Sequence, residues 1–175
     1  EKFKPSYSKT SNMYPQTRKL TTALTKQFRQ IPAERKEILS KIAAYIQAKY
    51  DKKEPIHLVF ICTHNSRRSH FGQIAAALAA DYYHIDEVQV YSGGTEATAF
   101  HPNAINALRE LGFSVASEHS SIRNPIWQVH FGKNNQTTCF SKTYNHPTNP
   151  KSSFAAIMTC SDAEQNCPYV VGTEL

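Results

Sequence analysis

The stretch Phe60-Ile61-Cys62-Thr63-His64-Asn65-Ser66-Arg67-Arg68-Ser69 carries the residue types and spacing most able to do chemistry in this chain of 175 residues. Cys62 closes a short apolar run, Leu58-Val59-Phe60-Ile61, that reads as a buried strand. Five polar loop residues follow, and Arg68 opens an alanine-rich stretch to about Tyr82 that reads as a helix. Successive N–H groups in a tight strand-to-helix loop can converge on one anion. A helix start adds unpaired donors and a positive dipole end, and an arginine adds a planar fork that fits a tetrahedral oxyanion. The candidate anion ligands are thus Thr63, His64, Asn65, Ser66, Arg67, Arg68 and Ser69, with Cys62 as the nucleophile. A thiol at the mouth of such a cradle is expected to titrate below its ordinary value of ~8.5 and to face an electrophilic phosphorus or arsenic centre as thiolate. The competing assignment is an inert, buried cysteine at a strand end, which the polar, basic loop does not suit.

The elements that must position this loop alternate along the chain. Leu20, Leu24 and Phe28 recur at helical spacing between Thr17 and Gln30, and Pro32 stands at the start of a second helix with Ile38, Leu39, Ile42, Tyr45, Ile46 and Tyr50 on one face. These two helices are expected to form a hairpin covering one side of the core. Val88–Tyr91 reads as a second strand, broken at Ser92-Gly93-Gly94-Thr95. Pro102 opens a helix with Ala104, Ile105, Leu108 and Leu111 inward, Gly112 stops it, and Phe113–Val115 continues as a strand edge. Residues 126–131 and 137–141 flank Gly132-Lys133-Asn134-Asn135 as a β-hairpin, and 145–150 is a proline-rich linker. Phe154–Met158 is a further buried strand, Cys160 ends it, and Ser161 begins a short helix before Cys167-Pro168. Strands alternating with helices imply an α/β fold with a parallel open sheet. Sites in such sheets lie at the carboxyl ends of strands, where both Cys62 and Cys160 fall.

Composition narrows the function classes. The length suits one domain, and 40% hydrophobic with 19% charged residues suits a globular chain. No apolar run approaches the ~18 residues that span a bilayer, so no membrane association is expected. The net charge of +6 is ascribed to solvated helical faces, and no nucleic-acid recognition signature accompanies it. Four cysteines in a chain of this size do not make a disulfide scaffold and fit a reducing, cytoplasmic setting. With no secretory signal visible, Asn135-Gln136-Thr137 is discounted as a glycosylation acceptor. The histidines at 57, 64, 70, 84, 101, 119, 130 and 146 show no metal-ligand spacing, and neither metal nor cofactor is expected. Cys139 reads as a cysteine on a hairpin face, and Trp127 as hairpin packing. The expected organisation is a tail over 1–13 and one domain over 14–175, with a helical extension at 14–50 and an inserted hairpin at 124–150.

The segment Val59–Ser69, with Cys62, Asn65, Arg68 and Ser69, resembles the phosphate loop of low-molecular-weight protein tyrosine phosphatases. It is still more similar to the thioredoxin-coupled arsenate reductases of the same fold. Tyr91–Ala97 and Pro102-Asn103-Ala104 are similar to the stretch after the family's second strand, and Met158-Thr159-Cys160 with Cys167-Pro168 resembles the reductases' further redox cysteines. The resemblance implies a three-layer α/β domain in which Cys62 attacks arsenate held by Arg68 and loop amides. Cys160 would then release arsenite by forming a Cys62–Cys160 disulfide, and Cys167 would pass the disulfide outward to thioredoxin. The phosphatase branch implies instead a phosphocysteine at Cys62 and hydrolysis of a phosphomonoester. Binding of an oxyanion such as phosphate without turnover is the third reading.

His64 stands where the family commonly has a loop glycine, and Arg67 where many members carry another cysteine. The family's catalytic aspartate lies in a later Asp-Pro segment, which the residues after Cys167 do not supply. The resemblance therefore places the general acid, the closing strand and the last helix beyond Leu175.

Overall fold

The apolar run before Cys62 forms β1 (Ile56–Cys62), and its side chains alternate between two faces as a pleated strand requires. Ile56, Leu58 and Phe60 pack on one face with Val88, Val90 and Ile157, while Val59 and Ile61 pack on the other with Tyr91, Ala156 and Met158. Burial on both sides explains why β1 is almost uniformly apolar. The computed structural model describes residues 12–166 and 169–175, the side chains of 164–166 excepted. β1 is central, flanked by β2 (Val88–Gly94) and β6 (Ala155–Met158), both parallel to it. In register, Cys62 lies opposite Gly94 and Ile61 opposite Met158.

Helices cover both faces. α2 (Ala33–Asp51) and α3 (Arg68–Tyr83) lie over the Leu58 and Phe60 face through Tyr45, Ile46 and Ala76. Ala163 of the short helix α5 (Ser161–Asn166), with Phe154 and Val170, closes the Val59 and Ile61 face. These are the three layers of an α/β fold. The opposite side of α3 buries Ile74 and Leu78 in a second cluster with α1 (Pro15–Lys26), α4 (Pro102–Glu110) and an antiparallel sheet. That sheet has the order β3 (Ser114–Ala116), β4 (Trp127–His130), β5 (Gln136–Cys139).

Several expectations are corrected. The first helix ends at Lys26, and Phe28–Gln30 is a separate 3-10 turn. α1 packs on α3 while α2 packs on β1, so the two make no closed hairpin of their own. Only part of the apolar face read into α2 is used: Tyr45 and Ile46 meet the core, but Ile38, Leu39 and Tyr50 are exposed. Leu111 is exposed as well, because α4 ends one residue before it. Phe113–Val115 does not extend the parallel sheet. Val115 pairs instead with Val129 of the hairpin, whose second strand is tied to α3 where Gln73 Nε2 donates to Thr137 Oγ1 (2.7 Å) and to the Thr138 carbonyl (2.8 Å). Residues 145–150 are no free linker either, since Asn149 is buried and its Nδ2 donates to the carbonyls of Ser92 and Tyr144, both at 3.0 Å. Residues 1–11 of the expected tail lie outside the described residues, whereas Met13 is buried and bridges to Gly132.

Candidate active site

The loop between β1 and α3 is held from outside by its carbonyls. The Cys62 carbonyl accepts from Thr95 N–H (3.2 Å), and that of Thr63 from Glu96 N–H (3.0 Å) and Thr95 Oγ1 (3.2 Å). The His64 carbonyl accepts from Ser141 Oγ (2.9 Å) and Thr98 Oγ1 (3.1 Å), and that of Ser66 from His101 N–H (3.0 Å). In a planar trans peptide the C=O and the following N–H point in opposite directions. Each carbonyl turned out toward the flanking segments therefore turns the N–H of the next residue the other way, and none of these contacts consumes a loop N–H. Such a run of like-oriented amides favours negative charge.

Close approach of β2 makes this possible. A side chain at Gly94 would place its Cβ 2.4 Å from the Glu96 carbonyl oxygen, 2.5 Å from that of Thr63 and 2.8 Å from Asn65 N. Asn65, fully buried, takes the left-handed conformation with φ +44°, which asparagine tolerates better than most residues. Its Nδ2 donates to Ser69 Oγ (2.8 Å), and its Oδ1 accepts from Lys142 N–H (2.9 Å). Ser69 Oγ lies 3.0 Å from Cys62 Sγ, with both residues buried. The side chains of Asn65 and Ser69 thus form a chain of contacts that ends on the sulfur.

The other residues singled out in the sequence fall around this centre. Arg67 and Arg68 are exposed at the start of α3. Ser66 Oγ donates to the Ala99 carbonyl (2.7 Å), so its hydroxyl braces the loop. His64 points outward, its Nε2 2.8 Å from Glu96 Oε1. Thr63 Oγ1 lies 3.7 Å from Cys160 Sγ and links the two strand ends. Burial raises the Cys160 thiol, but hydrogen bonds from Ala163 N–H and from the Thr63 hydroxyl and N–H, with the charge of Arg68, outweigh it and bring its pKa below the ordinary value. Cys167 lies outside the described residues. Cys139 is fully buried and its pKa is pushed up to about 12 by that burial, as an unreactive thiol.

Sequence reasoning missed the contribution of the residues after the hairpin. Ser141 and Lys142 touch the loop directly, and no motif marks them. Lys142 is buried beside the Phe140 ring, 4.3 Å from its centroid, and desolvation lowers its pKa to about 8. In the sequence His70 is one of several scattered histidines. It sits fully buried under the loop, its Nδ1 3.2 Å from Ser92 Oγ and its ring 4.2 Å from that of Phe100. Burial, reinforced by the nearby Lys142 charge and opposed by the Asn65 backbone, brings its pKa down to about 3. Among the described residues, no group of three or more His, Cys, Asp or Glu gathers as a metal site, and no helix is long and apolar enough to cross a membrane.

Over 122 residues the chain is 33% identical to arsenate reductase 2 of Staphylococcus epidermidis, covering 69% of this chain and 70% of that protein. It is 35% identical over 122 residues to arsenate reductase 2 of Staphylococcus haemolyticus, with the same 69% and 70% coverage. Against the arsenate reductase of Bacillus subtilis it is 42% identical over 65 residues, 37% of this chain and 44% of that one. No protein-family model matches the chain.

Proposed function

Because the chain belongs to the arsenate reductase family of enzymes, we propose that it reduces arsenate to arsenite with Cys62 as nucleophile and Cys160 as the second thiol. The observation that carries this reading is the placement of two cysteines at the carboxyl ends of adjacent parallel strands, with Thr63 between them. The loop amides of residues 64–69 and the Arg68 guanidinium hold the arsenate oxygens, while the Thr63 N–H serves Cys160. The Cys62 thiolate attacks arsenic(V), and one arsenate oxygen leaves as water after taking up protons. The Cys160 thiolate then attacks Cys62 Sγ. A sulfur–sulfur bond forms, the sulfur–arsenic bond breaks, and its electron pair stays on arsenic, which departs as arsenite.

The two electrons gained by arsenic are those the two thiols lose. The lowered pKa of Cys160 favours its thiolate, the form that attacks. Cys167 attacks Cys160 next and frees Cys62. A thioredoxin-type dithiol reduces the resulting Cys160–Cys167 disulfide.

Reduced protein is treated with arsenate, quenched with an alkylating agent and mapped by peptide mass. Wild type should yield a Cys160–Cys167 disulfide, Cys167→Ser should trap Cys62–Cys160, and Cys62→Ser should give neither disulfide nor arsenite. If no arsenate-dependent disulfide forms in any variant while the wild type hydrolyses a phosphate ester through Cys62, the phosphatase chemistry replaces this reading.

A further inference from the structure

We infer that Ser141, clamped by Asn124, is a positioning residue for the oxyanion loop, so that the hairpin segment beyond the α/β core takes part in anion binding. The inference deepens the proposed function, since it rests on the 63–69 loop being the anion site. Ser141 is 2% exposed, and its hydroxyl is used twice. It donates to the His64 carbonyl at 2.9 Å and accepts from Thr98 N–H at 2.8 Å. Its backbone is gripped at two points by one side chain: Asn124 Oδ1 accepts from Ser141 N–H (3.1 Å), and Asn124 Nδ2 donates to the Ser141 carbonyl (2.7 Å). The next residue continues the contact, with Lys142 N–H donating to Asn65 Oδ1 (2.9 Å) and the Lys142 carbonyl accepting from Gly94 N–H (2.9 Å).

The peptide unit between His64 and Asn65 is the one these contacts orient. Its oxygen is the His64 carbonyl that Ser141 and Thr98 hold, and its hydrogen is the Asn65 N–H. Because the unit is planar, fixing the oxygen on the outer side fixes the N–H on the opposite side. Asn65 already takes the left-handed conformation, φ +44°, which costs energy for a residue with a side chain. A flip of this one peptide would relieve that conformation and turn a carbonyl, with its partial negative charge, to where an amide had faced. Ser141 opposes the flip from outside without touching the anion.

The test measures how well inorganic phosphate or arsenate protects Cys62 from iodoacetamide, alongside KM and kcat for arsenate and the melting temperature. Ser141→Ala should raise the half-protecting concentration about fivefold, the size of one net hydrogen bond. It should raise KM by a similar factor and leave kcat within about twofold. Ser141→Thr keeps the hydroxyl and should restore both. Asn124→Ala should act in the same direction, and the double variant should add little to either single one, because both act through one clamp.

Thr138→Ala serves as control. It removes the hydrogen bond from Thr138 Oγ1 to Gln128 Oε1 (2.9 Å) on the same hairpin, away from the loop. Wild-type protection and KM in Ser141→Ala would overturn the inference. So would an equal weakening in Ser141→Ala and Thr138→Ala with equal falls in melting temperature, since the role would then be structural alone. Protection by arsenate without any arsenite formation in the wild type, with Ser141→Ala still weaker, would leave the clamp standing and remove the reductase reading. Absence of protection in the wild type would remove both.

Discussion

Replacing His70 by glutamine should flatten the acid sensitivity of this fold. In the folded chain His70 is fully buried, its pKa is brought down to about 3, and no group hydrogen-bonds its Nε2 among the described residues. In the unfolded chain its pKa returns to the ordinary 6.5. Between these values the unfolded state binds more protons, so stability rises with pH across that window and is lost as pH falls below about 6.5. The loss reaches at most ~1.4 kcal/mol per pH unit, and integrates to about 2 kcal/mol between about pH 7 and about pH 5. Glutamine has similar bulk, can still pair with Ser92 Oγ, and does not titrate. Urea unfolding at the two pH values, for both proteins, gives the difference directly. The wild type should lose about 2 kcal/mol more than His70→Gln on acidification. Parallel losses would refute the claim that a neutral, desolvated imidazole lies under the loop.

Lys142→Met should stabilise the protein by about 1–3 kcal/mol at neutral pH, since it removes a desolvated charge and gives up only a cation–π contact of about 0.5–2 kcal/mol with Phe140. Its folded pKa lies near 8 against 10.5 unfolded, so wild-type stability should climb between those values and close the gap, which thermal melts across that range would show. Gly94→Ala should abolish anion protection of Cys62, because the new methyl meets only backbone atoms, at 2.4–2.8 Å. Near wild-type protection in that variant would show that the loop can move without losing its ligand.

The sequence alone determined much of the site. A cysteine at the end of an apolar run, an arginine at the next helix start and polar residues between are local features, and local features fix local geometry. The strand, the loop, the start of α3, and the placement of Cys62 and Cys160 at strand ends all follow from periodicity and spacing. The same holds for the hairpin, whose turn residues separate two short runs.

What pairs with that hairpin, and what the residues after it touch, could not be read the same way. Val115 joins Val129 rather than the parallel sheet because the second cluster beyond α3 needs a covering layer, and no local pattern encodes that partner. The exposed apolar face of α2 shows the reverse case, periodic residues that the packing does not use. Asn124, Ser141, Lys142 and His70 belong to no motif. Ser141 and Lys142 act because residues 77 apart in the chain meet at His64 and Asn65, with Asn124 holding Ser141 in place, and His70 because Ser92 and Phe100 close over it, all of which only the tertiary structure brings about.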